Sequence, residues 1–196
     1  MNIVHIEGWV HMNKVVTSKD EILRCSRELI RERGLPAISI RSVAAACGVS
    51  VGSVYNYFDS KAELVRAAVE SVWREIFSRP ESGDVFRNVH TCVIWMYERM
   101  AYGGRQYPGF FTLHSIGFMR EERDDGKQRM HQVWQHILDG LCSVLKQDVK
   151  IRADAFTEQL TVEQFAEVLF SQMLSALLRQ DYDPTAVLEI VRRTLY

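Results

Sequence analysis

Side chains able to do chemistry are spread thinly over this chain, with one exception. Four cysteines, Cys25, Cys47, Cys92 and Cys142, stand far apart, and none forms a CxxC pair or meets a histidine at metal-ligand spacing. They read as small buried hydrophobes. His131 and His136 are five residues apart, which puts them on different helical faces rather than at the i, i+4 separation of a zinc pair. The acidic run Glu121-Glu122-Arg123-Asp124-Asp125 lacks the regular oxygen ligands and loop glycine of a calcium site, and reads as a solvated helix end. No nucleophile, base and orienting group form a pattern, so the sequence predicts no enzyme, no metal site and no cofactor. The exception is residues 39–58, SIRSVAAACGVSVGSVYNYF, where Ser53, Tyr55, Asn56 and Tyr57 crowd into one short stretch. Hydroxyls and an amide on one exposed face suit the reading of base edges.

The elements around that stretch follow from caps and spacing. Ser39 caps a helix ending near Cys47, Gly48 supplies a positive-φ turn, and Ser50 caps a second helix running to about Phe58. This is helix-turn-helix spacing: Ala44, Ala45 and Ala46 let the helices approach, and Val43, Val49 and Val54 fill the angle between them. The second helix is then placed to enter a major groove. Upstream, Ser18 and Glu21 form a capping box before Ile22, Leu23, Leu29 and Ile30, with Gly34 and Pro36 as the stop. Downstream, Ser60 and Glu63 start a helix through Leu64, Ala68, Val72 and Ile76, which Pro80 ends. Further stripes cover Val85 to Met100, Gln128 to Leu145, Thr161 to Leu178 and Pro184 to Leu195. With no hairpin signal, the expectation is an all-α chain of about nine helices. It divides into a tail at 1–16, a helix-turn-helix domain at 17–64 and a second helical domain at 65–196.

Composition narrows the setting. The 196 residues are 47% hydrophobic and 25% charged, which is ordinary globular usage. Apolar runs such as Val93 to Tyr97 reach only about a quarter of the ~20 residues a membrane helix needs. The first residues lack a basic region and an apolar signal core, so a cytoplasmic protein is expected, with Met12 an alternative start. Residues 1–79 hold 11 Lys and Arg against 9 Asp and Glu, and residues 80–196 hold 13 against 16. The basic half carries the helix-turn-helix, as nucleic-acid binding would ask.

Gly34, Ser39-Ile40-Arg41-Ser42-Val43-Ala44, Gly48-Val49-Ser50, Val54-Tyr55-Asn56-Tyr57-Phe58 and Ser60-Lys61-Ala62-Glu63-Leu64 together resemble the TetR/AcrR family of bacterial repressors over residues 18–66. The resemblance implies that Arg41 reaches a base or phosphate, that Ser53, Tyr55 and Asn56 face the groove, and that Tyr57 and Lys61 clamp the backbone. Lys61 also falls in the first turn of a helix, where its ammonium and free N–H groups can meet one phosphate. Val51 departs from the basic or polar residue of many relatives, which leaves an apolar contact such as a thymine methyl. Cys47 replaces a usual alanine without obvious consequence. Plainer readings stand beside these: Tyr55 as packing, Arg41 as a solvated charge, and Lys61 as a neighbour of Glu63 and Asp59.

In that family the C-terminal helices sense a ligand and dimerise. Here residues 92–134 are rich in aromatics and methionine, and Trp95, Tyr102, Phe111, His114, Phe118 and Trp134 are the candidate pocket, with core packing the alternative for each. Gly103-Gly104 and Tyr107-Pro108-Gly109 read as helix breaks that admit a ligand or turn the chain. Only His114, Arg99 and Arg105 offer charge to an anion, so an uncharged or weakly cationic apolar effector is favoured. The apolar positions of 161–195 are too numerous for a monomer's surface and suggest a dimer interface. The expectation is a homodimeric repressor that leaves a palindromic double-stranded operator when an effector binds. Its rivals are a small helical enzyme, lacking any motif, and a DNA binder without a sensor.

Overall fold

The helix starts read from the sequence carry their caps. In the computed structural model, which describes residues 17–78, 80, 83–111 and 124–196 (without the side chains of 124–134), Ser18, Ser39, Ser50, Ser60 and Thr161 each accept an N–H of the following turn. Such a cap contributes about 1 kcal/mol. The reciprocal half of the box closes only at Thr161 with Gln164, and at Ser39 with Ser42. Glu21 turns instead to Arg24, and Glu63 to the Asp59 N–H at 2.8 Å.

Eight α-helices result among the described residues, and no strand: α1 (Lys19–Arg33), α2 (Ile40–Ala46), α3 (Val51–Tyr55), α4 (Lys61–Ile76), α5 (Val89–Gln106), α6 (Asp124–Gln147), α7 (Val162–Arg179) and α8 (Thr185–Leu195). Helix α3 stops earlier than expected, because the Val54 carbonyl takes both the Tyr57 and Phe58 N–H groups and the chain turns to sink Phe58 into the core. Around that ring Ile22, Ile30, Ile38, Val43, Val54 and Leu64 are all essentially sealed from water, and each contributes roughly 1.5–3 kcal/mol of burial. Helix α4 runs without interruption across the expected division at 64/65, packing on α1 and on α5.

Gly103-Gly104 does not break a helix. Both residues lie inside α5, where a Cβ on Gly103 would stand 2.7 Å from Ile76 Cδ1 and 2.8 Å from Phe111 Cζ. The missing side chain is what lets α5 lie against α4. The helix ends instead at Tyr107-Pro108-Gly109, where Gly109 takes φ +74°. Its start is held by Asp148, a buried carboxylate after α6 that accepts the Val89 N–H at 2.9 Å and the Tyr196 hydroxyl.

The apolar surplus of 161–195 is mostly consumed inside one chain. Phe165, Leu169, Phe170, Met173 and Leu177 of α7, and Val187, Val191 and Leu195 of α8, are buried, and Leu174 is half-buried. What these helices leave exposed is Val168, Leu178 and Ile190, so the count of apolar residues overstated the surface available to a partner.

Candidate nucleic-acid interface

Helices α2 and α3 meet over Val43 and Val54, both with no exposed surface, and the turn between them depends on Gly48. Its φ is +67°, and no atom lies near the position a Cβ would take, so backbone conformation alone asks for glycine. Outward from this frame stand Val51 at 41% exposure, Tyr55 at 51% and the exposed Asn56. Half of Tyr55 is therefore free of any packing role. Ser53 is half-buried and shares a 2.9 Å hydrogen bond with the Ser50 hydroxyl, so its side chain serves the cap.

Two cations flank α3. Arg41, in the first turn of α2, and Lys61, the first residue of α4, are exposed and pair with no carboxylate among the described residues. Their neighbours differ: Arg24, Arg27 and Arg31 are each held by glutamates. Glu63 turns to the Asp59 N–H, and Lys61 stands exposed next to that turn. The Tyr57 hydroxyl donates to the Thr17 carbonyl at 2.6 Å. A phosphate accepts hydrogen bonds, so donation to one would compete with this bond.

Of the six pocket candidates, three have described side chains; His114, Phe118 and Trp134 lie outside them. Phe111 is buried and tilts onto Trp73 at 5.3 Å between ring centres. Trp95 meets Phe77 and Phe86 edge-on, and Phe77 stacks on Trp73 at 5.8 Å. Tyr102 lies apart, under the Arg99 guanidinium at 4.3 Å. The rings form a packed cluster centred on Trp73, a residue the sequence reading did not single out. The space left between Trp73, Phe77, Ile137, Phe170 and Met173 is about 10 Å³, too little to hold more than one water.

A polar junction ties α4 and the end of α5 to α1. Glu75 on α4 accepts Arg27 Nε at 2.7 Å on one oxygen, and Arg31 Nη2 and the Tyr107 hydroxyl, each at 2.8 Å, on the other. The Tyr107 hydroxyl in turn accepts from Arg31 at 3.0 Å, and the guanidinium lies 5.0 Å from the centre of its ring. Burial first, then the adjacent Glu75, push the Tyr107 hydroxyl well above the usual phenol range. Sequence reasoning missed this junction because its members are 32 to 76 residues apart and no local pattern joins them.

Two helices meeting at a glycine turn, the second exposed and bracketed by cations that pair with no carboxylate among the described residues, form a helix-turn-helix of the kind that enters a major groove. Comparisons with known proteins agree. Residues 22–68 match the family described as bacterial regulatory proteins, tetR family. The transcriptional repressor KstR2 of Rhodococcus jostii is 34% identical over 61 residues, 31% of this chain and 30% of that protein. The chain is thus matched over under a third of that relative's length. The nucleoid occlusion factor SlmA of Vibrio cholerae is 24% identical over 69% of the chain and 70% of its own. Among solved structures, the fatty acid degradation regulator FadR of Bacillus halodurans superposes with a TM-score of 0.58 at 17% identity, covering 91% of this chain and 95% of that one. NalD, the secondary repressor of a multidrug efflux pump in Pseudomonas aeruginosa, gives 0.58 at 19% identity, covering 90% and 95%. Over residues 22–68 the chain is thus similar to the tetR family of bacterial regulatory proteins, and its helices as a whole share the fold of these solved structures.

Proposed function

We propose that this chain is a homodimeric, cytoplasmic transcriptional repressor that binds a palindromic operator through α3 and leaves it when a small molecule occupies its C-terminal domain. The observation that carries the reading is the α3 face: Val51, Tyr55 and Asn56 turned outward, with unpaired Arg41 and Lys61 on either side. In a groove, Asn56 can read a base edge and Val51 can touch a thymine methyl, while the cations hold phosphates and fix the register. The exposed Val168, Leu178 and Ile190 on α7 and α8 support a dimer that presents two such faces to successive grooves. Sensing is supported by the nature of relatives: FadR of Bacillus subtilis, similar in fold at a TM-score of 0.58, was solved in complex with stearoyl-CoA. No helix among the described residues is long and apolar enough to cross a membrane.

The test is affinity for the inverted repeats flanking the gene against scrambled duplexes of equal length, by fluorescence anisotropy at two salt concentrations. Preference for one repeat by a dimer supports the reading, and equal affinity for all duplexes refutes it. A DNA binder without a sensor is the second reading, favoured by the filled space around Trp73. A repeat-bound protein whose affinity no ligand changes would establish it.

A further inference from the structure

We propose that a groove at the end of α5 binds a small carboxylate with an apolar body, and that Tyr107 relays its occupancy to α1. The inference deepens the sensor reading above and rests on it. The groove measures about 280 Å³ and is lined by Ala101, Gly104, Arg105, Pro108, Phe111 and Tyr182, with Tyr107 beneath. That volume is close to the ~300 Å³ at which small-molecule sites begin, and far larger than the space around Trp73.

Its chemistry is one-sided. Arg105 is the only charged residue of the lining, is exposed, and pairs with no carboxylate among the described residues. The carboxylates of the nearby turn are engaged: Asp181 with Arg179 at 2.9 Å, and Asp183 with Thr185. An unpaired guanidinium presents a planar fork that suits a carboxylate. Around it Ala101, Pro108 and Phe111 offer apolar wall. The lining also includes Gln180, and the Tyr182 hydroxyl reaches in over Gly104, where a Cβ would stand 2.8 Å from its oxygen, so glycine there keeps that hydroxyl in place. The sequence weighed Arg99 and Arg105 alike and favoured a neutral ligand. The structure separates them, because Arg99 is spent on the carbonyls of Glu75 and Ile76 and on the Tyr102 ring, whereas Arg105 meets no carboxylate among the described residues.

The groove also touches the junction. Tyr107 sits between Arg105 and Pro108, and its hydroxyl donates to the carboxylate that holds Arg27 and Arg31 of α1. An occupant that shifts the 107–109 turn therefore acts on the contact between the two domains.

The full chain is titrated calorimetrically, without DNA, with phenylacetate and hexanoate and with the corresponding amides. At least one carboxylate should bind about tenfold more tightly than its amide, as a charge-assisted contact implies. Arg105→Gln should bring the pair to parity, and Arg105→Lys should restore part of the difference. No carboxylate binding in the millimolar range, parity in the wild type, or a preference that survives Arg105→Gln overturns the site. For the relay, the bound carboxylate should lower duplex affinity in the wild type and leave that of Tyr107→Phe unchanged, with calorimetric binding retained. An equal response in both proteins overturns the relay. A chain that binds the carboxylate but prefers no duplex sinks the regulator reading and leaves the site standing; the reverse result sinks the site alone.

Discussion

Replacing Glu75 by alanine removes one carboxylate that two arginines of α1 and one buried hydroxyl of α5 share. The two ion pairs are intermediate in setting: side-chain exposure is 24% for Arg27, 36% for Arg31 and 30% for Glu75. Screening by solvent holds each near the upper end of the surface range, about 0.5–1 kcal/mol. The Tyr107 hydroxyl is different, because the residue is fully buried and its donor would lose its acceptor, a cost of roughly 1–3 kcal/mol. The sum is about 2–5 kcal/mol, and at about 2–4 °C per kcal/mol for a chain of this size the melting temperature should fall by roughly 4–20 °C. Glu75→Gln, which keeps an acceptor for Tyr107, should lose about half as much. Urea denaturation of the three proteins, repeated at high salt, measures both parts. The salt-sensitive share belongs to the arginines and the remainder to the hydroxyl. A loss below about 0.5 kcal/mol in Glu75→Ala would refute the reasoning and make the junction an incidental surface cluster.

Lys61→Ala should weaken binding to all duplexes alike and flatten the salt dependence by about one unit per half-site, whereas Asn56→Ala should erode discrimination by roughly 1–3 kcal/mol; anisotropy at several salt concentrations separates the two. Ile190→Asp should lower dimer affinity in light scattering while the fold persists, and Leu174→Asp should instead unfold the domain, because Leu174 lines the interior beside Phe170 and Met173. Gly103→Ala should destabilise by about 1–3 kcal/mol through the clash with Ile76 and Phe111, while Gly140→Ala, with open space around it, should stabilise by roughly 0.5–1 kcal/mol in thermal melts. Burial pushes the Cys47 and Cys92 thiols up to about 12, so thiolate is scarce until the pH approaches that value; at pH 8 both should react with Ellman's reagent far more slowly in the native protein than in urea.

What the sequence disclosed is whatever depends on residues a few positions apart. Ser39, Ser50 and Thr161 sit one turn from the N–H groups they accept, and Gly48 is required by its own φ, so caps and turn were readable without tertiary information. The exposed positions of α3 followed from the same local logic. Contacts between distant elements were not readable. The bond from the Tyr57 hydroxyl to the Thr17 carbonyl, 40 residues upstream, has no local signal. Gly103 looked like a breaker because glycine is a poor helix former, yet the residue is there for a helix crossing that only the packed α4 reveals. The apolar stripes of α7 and α8 could not say whether a partner or their own chain would cover them, since burial inside and between chains obeys one chemistry.

Helix α4 has a mechanical consequence. Its 16 residues make a rod about 24 Å long, with Lys61 at one tip and Glu75 near the other. A pivot of about 10° at the Glu75 end swings the Lys61 tip by roughly 4 Å, comparable to the ~3.4 Å rise of one base-pair step. On the repressor reading proposed above, a pivot of that size would leave Lys61 one base-pair step out of phase with the duplex. The quantity under control would be an angle, and occupancy of the DNA would follow from whether two such angles, one per protomer, agree with the pitch of the duplex.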